Sequence, residues 1–438
     1  MKFRTTALLL CAAASWTLLA GTPVAAQMGG APPSSSSGSS SHSSSNKAHL
    51  SKSNGPDIID AQKMVQDKNF QGALAKLKTL QGTATEPYDI YVINRLTAAA
   101  DIGLNDMTGA AAAEEAAAAS PAMPDDDRQA LFHDALLMSA NVKDWAKTIV
   151  YGQQLAQLNA LDAQTSGILA IAYYNTSDFT HAQQYAQKSM DLAKAAGQPA
   201  DANALQIIEG SQVKQNNQSG AEQTLEQMVL QNGQPAIWAQ LIGNAFGAKG
   251  MGNSEALYLY RLLQLTGAMT DEYYKEYASD TSTLGYPTEA MKVLQQGIAD
   301  GKATQSDVGQ TLAKATHDAQ MDARSLPQIV ASAQKSRTGE QAVKLGEDYW
   351  GYGRFADAEA AARQAVAKGG LKTPWEGPML IGAAQVAQGK YADAIQTFSQ
   401  VSGTEAVTKI AHLWSLYAQS KQGPAHAATT PPAQSPSH

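Results

Sequence analysis

The chain contains a single cysteine, Cys11, and it lies within the first 26 residues. A fold with no other thiol has no disulfide framework and no cysteine-based metal site, so its core must be large enough to stand without cross-links. Charge is scarce as well: 16% of the 438 residues are Asp, Glu, Lys or Arg, with 32 basic against 39 acidic. That balance excludes the concentrated basic surface nucleic acid requires, and it gives no hold on an anionic membrane. There is no HExxH, no phosphate-binding Gly-rich loop ending in Lys-Ser/Thr, no G-x-S-x-G elbow and no paired His/Cys spacing,. Ser332-Ala333-Gln334-Lys335 matches the S-x-x-K string, but without its partner motifs it reads as helix surface. The expectation is a protein that is not an enzyme and has no cofactor or metal.

The ends of the chain are set apart by composition. Lys2 and Arg4 precede an apolar run from Ala7 to Ala20, and Val24-Ala25-Ala26 offers small residues to a signal peptidase. The run is too short to span a bilayer, so residues 1–26 read as a signal peptide cleaved before Gln27. The rest then carries 30 basic and 39 acidic residues, net −9, with no further stretch of spanning length. An exported, cysteine-free chain suggests a Gram-negative periplasm. Residues 34–53 hold twelve serines. Such a stretch has little to bury, so residues 27–56 read as a disordered linker. Residues 423–438, rich in Pro, Thr, Ser and Ala, read as a disordered tail.

Between these ends one signature recurs, with a large residue three places ahead of an alanine that opens an apolar-periodic helix. It reads Phe70-Gln71-Gly72-Ala73, Phe179-Thr180-His181-Ala182, Phe355-Ala356-Asp357-Ala358 and Tyr391-Ala392-Asp393-Ala394. Weaker copies centre on Ala110, Thr148, Ala221, Ala256 and Ala290, at steps of 34 to 39 residues. Ala290 to Ala358 is 68 residues, which leaves room for an unmarked unit near Arg324 and gives about ten in all. A fixed period of this length marks a solenoid of helix pairs. Ala358, Ala362 and Ala365 form a small-residue stripe that lets antiparallel helices approach closely. Residues 404–422 place Val407, Ile410, Ala411, Trp414 and Tyr417 on one face, which reads as a solvating cap for the last unit.

The pattern resembles the tetratricopeptide repeat (TPR) family. Gly382, Gly346 and Ala170 hold its small eighth place, Tyr173 and Tyr349 the bulky eleventh, and Phe398 and Tyr260 the twenty-fourth. The resemblance implies an all-α fold: a right-handed α-solenoid of about ten TPR-like helix-turn-helix repeats over residues 57–403, with a C-terminal capping helix over 404–422. It also implies that the first helix of each pair lines a concave groove, where Arg95, Asn141, Tyr174, Asn175, Lys214, Lys275 and Trp350 fall. Amide and cationic side chains there suit an extended backbone or a terminal carboxylate, and Trp350 would be an aromatic anchor. The family's carboxylate clamp cannot be assembled from these residues. The implied function is a non-enzymatic interaction scaffold for other envelope proteins or peptides. The alternative is a solenoid that binds glycan or peptidoglycan.

Two local readings complete the survey. Asp125-Asp126-Asp127 reads as helix initiation rather than a cation site, because acidic residues suit a helix N-terminus. Tyr273, Tyr274 and Tyr277, at helical spacing, read as packing.

Overall fold

The computed structural model describes residues 49–422 apart from Ala200. The expected leader, the C-terminal tail and residues 27–48 of the expected linker lie outside the described residues.

The described residues form α-helices without strand. Nine antiparallel pairs are α1 (Gly55–Gln66) with α2 (Phe70–Gln81), α3 (Pro87–Gly103) with α4 (Met107–Ala118), α5 (Arg128–Asn141) with α6 (Trp145–Gln157), α7 (Ala163–Asn175) with α8 (Phe179–Ala195), α9 (Ala202–Lys214) with α10 (Gln218–Asn232), α11 (Pro235–Ala245) with α12 (Asn253–Thr266), α13 (Asp271–Leu284) with α14 (Pro287–Ala299), α16 (Glu340–Tyr352) with α17 (Phe355–Lys368), and α18 (Glu376–Ala387) with α19 (Tyr391–Phe398). Two helices stand alone, α15 (Gln305–Lys335) and α20 (Glu405–Gln422).

The first five pairs share one turn. Lys68, Asn105, Lys143, Ser177 and Asn216 each take a positive φ, between 59° and 64°. The next residue in each case is Asn69, Asp106, Asp144, Asp178 or Asn217, whose side chain accepts from the backbone N–H three places on. A left-handed residue ends the first helix and a capped one starts the second, so three residues reverse the chain. The later pairs make the reversal with glycine instead, at Gly285, Gly353 and Gly389,.

The length of chain near Arg324 is not a helix pair. It runs as the uninterrupted 31-residue α15. No left-handed residue or Asx cap divides it, and Pro327 inside it does not suffice to end it,. Leu326, Ile329 and Val330 pack against Leu345 and Ala361. The expected boundary of the linker also moves. Ser51 donates from its backbone N–H (2.9 Å) and hydroxyl (2.5 Å) to the fully buried Asp89, and Asn54 Nδ2 adds a third bond at 3.2 Å. Gly55 and Pro56 already belong to α1.

The two halves of the chain are built differently. From α1 to α9 the apolar interior is divided into separate local clusters. From α10 onward the main cluster runs from Leu225 to Ala418, beside a small one where α15 meets α16 and α17. Helix α20 makes the main cluster continuous. It packs on α19 and α18 and also returns to α10, α11 and α12. The apolar face expected for it is buried and Thr408 and His412 on its polar face are exposed, while Lys409 pairs with Glu222 at 2.7 Å and His412 with Glu226 at 2.9 Å, both on α10. Beyond covering the last pair, the helix returns to α10, α11 and α12 and closes the second half on itself.

At the centre of that half lies α12, with eight consecutive buried residues, 256–263. A helix covered on every side has neighbours all round it, and among those packed on α12 are α11, α13 and α20,.

Candidate functional site

In the first half, successive first helices lie side by side and are joined by polar bridges. Arg95 on α3 reaches Glu114 on α4 at 2.7 Å and Asp134 on α5 at 3.2 Å. Helix α5 packs on α7, and α7 on α9. Gln240 on α11 donates to Glu209 on α9 at 2.9 Å. Tyr174 on α7 lies edge-on to Phe179, with ring centroids 5.6 Å apart. A Cβ at Gly210 on α9 would stand 2.9 Å from its hydroxyl, so glycine makes room for the ring. Burial, and then Glu209, raise the Tyr174 phenol above its ordinary value. Burial also raises Glu209.

Of the seven residues placed on the groove by resemblance, three meet in one row. Asn141, Asn175 and Lys214 are the last residues of α5, α7 and α9. All three are exposed. The short turns make alternate helices parallel, so these residues mark the same end of three neighbouring helices. Tyr174 stands beside them, half-buried. Asn175 Nδ2 donates to the Ile171 carbonyl of its own helix at 2.8 Å. Lys275 is exposed on α13, in the other half of the chain. Arg95 is engaged by Glu114 and Asp134, which makes it a brace between helices rather than an open contact.

Trp350 corrects the expectation most sharply. It is buried, 9% exposed, in edge contact with Phe355 at 5.0 Å and Trp414 at 6.3 Å. The Arg261 guanidinium lies 4.6 Å from its ring centroid. The inward face of α16 is covered by α12 and by α20, which the repeat pattern does not foretell.

The residues that sequence reasoning missed surround this tryptophan. Arg261 Nε and Nη2 bond the two oxygens of Glu289 on α14 at 2.8 and 2.7 Å, and Nη2 also bonds Glu347 on α16 at 2.6 Å. Tyr258 donates to Glu347 at 2.7 Å and Tyr277 to Glu289 at 2.5 Å. All five side chains are buried. The signal was in the sequence: a lone arginine in the apolar octad from Ala256 to Leu263. Buried cations are paired, so an acidic partner elsewhere was implied.

The tyrosine cluster is packing, as expected. Tyr273 stacks on Phe246 and Tyr277 on Tyr260, at 5.6 and 5.4 Å. Asp125–Asp127 form a 3-10 turn leading into α5. Their carboxylates bind side chains rather than free N–H groups: Asp127 accepts from the Tyr91 hydroxyl at 2.9 Å and Asp125 from Arg128 Nε at 2.8 Å. Ser332 and Lys335 are exposed near the end of α15. Among the described residues no three His, Cys, Asp or Glu side chains gather to hold a metal ion, and no helix is long and apolar enough to cross a membrane.

No protein-family model matches the chain, and no curated protein matches it. Solved structures show a weak likeness to it. A tetratricopeptide repeat protein from Parabacteroides merdae is 14% identical, with 57% of this chain and 98% of that one covered and a TM-score of 0.25. The C-terminal part of a TPR repeat-containing protein from Cytophaga hutchinsonii is 12% identical, covering 73% and 98% at 0.28. The Naa15/Naa10 assembly bound to HypK-THB is 11% identical, covering 82% and 67% at 0.29. Each likeness is at low identity and low score, and extends to no partner or activity.

Proposed function

We propose that the chain is a non-enzymatic scaffold of the periplasm that holds an extended segment of an envelope protein across the ends of α5, α7 and α9. The observation that carries this reading is the row Asn141, Asn175 and Lys214, exposed at the last residues of three neighbouring first helices. Two amides and an ammonium supply donors to backbone carbonyls or a terminal carboxylate. Tyr174 beside them offers a ring already fixed against Phe179. Export rests on the basic-then-apolar leader, and cell fractionation of the full chain tests it.

The binding test is a pull-down from periplasm with the parent and with Asn141→Ala, Asn175→Ala and Lys214→Glu combined. The parent should retain a partner at low and moderate salt, and the triple variant should lose it without a change in melting temperature. A parent that retains nothing above background ends the proposal. The glycan alternative drew on Trp350 and Tyr174. With Trp350 buried it keeps one half-buried tyrosine, and sedimentation with purified sacculi decides it.

A further inference from the structure

Helix α20 is fastened to the helices it returns to by a series of bonds along its length. Ala406 donates from its backbone N–H to the Lys249 carbonyl at 3.2 Å, next to Gly250, where a Cβ would stand 2.8 Å from Thr404. Lys409 then pairs with Glu222 at 2.7 Å, and His412 Nε2 with Glu226 at 2.9 Å. Trp414 and Tyr417 follow, donating to the backbone carbonyls of Tyr258 and Leu265 on α12. Residues 409 and 412 are one turn apart on α20, and 222 and 226 one turn apart on α10, so the two ion pairs form a short ladder between the helices,.

These bonds differ in kind. Among the groups that make them, imidazole is the one whose charge changes between about pH 5 and 8. The groups around His412 are few. Glu226 bonds it from α10 with Glu222 nearby, and Lys409 stands on its own helix. Helix α11 carries no charged residue. Glu255 and Arg261 on α12, Glu376 on α18 and Asp393 on α19 make no bond or ion pair with it among the described residues. Its ring is half exposed, so a proton reaches it without the fold opening.

We propose that α20 is a pH-responsive latch, which the His412 imidazolium fastens to Glu226 of α10 and the neutral ring lets slacken, while Lys409 and Glu222 hold it throughout.

The direction follows from the contact. The bond to Glu226 raises the imidazole above its ordinary 6.5 against the opposing effect of burial, and the charges of Glu226 and Glu222 add to the rise. A group raised in the folded state contributes stability that is complete below its unfolded value and is lost as pH rises through the folded one. The latch is therefore fastened in mild acid and slack above neutrality.

Tryptophan reads this half selectively. Trp238, Trp350, Trp375 and Trp414 all belong to its core, and among the described residues only Trp145, on α6, lies outside it. Thermal unfolding of the full chain is followed by tryptophan fluorescence. His412→Gln, which keeps a neutral donor toward Glu226, should lower the midpoint by about 2 °C at pH 5.5 and by much less at pH 8. Glu226→Gln should do the same, and combining the two should lower the pH 5.5 midpoint no further. Lys409→Gln should lower it alike at both pH values. The ring reports the contact directly by NMR: His412 of the parent should titrate above 6.5, and Glu226→Gln should bring it back toward that value. A His412→Gln deficit that is equal at the two pH values, or larger at pH 8, overturns the proposal, as does a His412 titration midpoint at or below 6.5 in the parent.

Discussion

The indole N–H of Trp414 donates to the backbone carbonyl of Tyr258 at 3.0 Å, joining the last described helix to the helix at the centre of the second half. The ring also touches Trp350 and Phe398, at 6.3 and 6.0 Å between centroids, and is fully buried. One side chain thus meets α12, α16 and α19 together, and the continuity of this half depends on it.

Trp414→Ala should therefore destabilise by about 3–5 kcal/mol, the loss of a large buried aromatic plus the cavity it leaves. For a half of this size that is a drop of about 10 °C in the fluorescence-detected midpoint. A change within a degree or two would mean α20 rests on the surface and closes nothing.

Arg261→Met removes the one cation that Glu289 and Glu347 share. Breaking a buried ion network from one side strands the remaining charge, at about 3–5 kcal/mol. Adding Glu289→Gln and Glu347→Gln removes the stranded charges, and most of the loss should return. Denaturant midpoints of the single and triple variants check this; equal losses in both would show that packing against Trp350, rather than charge, is what Arg261 supplies.

The helix pairs were legible because their physics is local. A three-residue turn, a cap and a small-residue stripe each fit within one period, and nine of about ten expected units are there. The candidate row was partly legible. Asn141, Asn175 and Lys214 fall where the repeat phase puts them, and the same phase puts Trp350 at an inward place. What covers Trp350 comes from residues 64 positions later and 89 earlier, Trp414 and Arg261, and no periodicity connects these. The length of α15 was hidden for the opposite reason: the period was assumed to continue where no turn residues mark it.

Gly382 tests the part that was legible. A Cβ there would stand 2.5 Å from the Phe398 ring, and one at Gly103 would stand 2.5 Å from the Phe70 ring. Gly382→Ala and Gly103→Ala should each destabilise by about 1–3 kcal/mol, the first more than the second, since the buried Phe398 ring or the half-buried Phe70 ring must shift to admit one methyl group,. Circular dichroism melts of the two variants should both fall. A neutral result at either site would mean that its ring moves aside freely.

Asp89 anchors the chain just ahead of α1 by accepting two bonds from Ser51 and one from Asn54. Trypsin should cut the parent slowly at Lys52, although that side chain is exposed, because cleavage needs the local backbone to open,. Asp89→Ala should speed cleavage at Lys52 several-fold while leaving sites beyond α2 unaffected. Mass spectrometry of a short digestion distinguishes the outcomes, and equal rates would return residues 50–54 to the linker.

The two halves should respond differently to truncation. In an array where each unit touches only its neighbours, stability is a sum of local terms, so losing an end unit exposes one face. Removing residues 1–85 takes away α1 and α2, whose cluster extends no further than α3. The fluorescence midpoint should then stay within a few degrees of the parent, because the core that holds four tryptophans is untouched. Removing residues 404–438 takes away Trp414 and the ion pairs to Glu222 and Glu226, and opens a core that runs from Leu225 to Ala418. The midpoint should collapse and the remaining tryptophan emission should shift to the red. Amide exchange should accelerate across α10–α19 while α3–α8 keep their protection. If both truncations lower the midpoint alike, the chain unfolds as one unit and the division at α10 is wrong. If neither does, α20 is an ordinary cap and the second half is as open as the first.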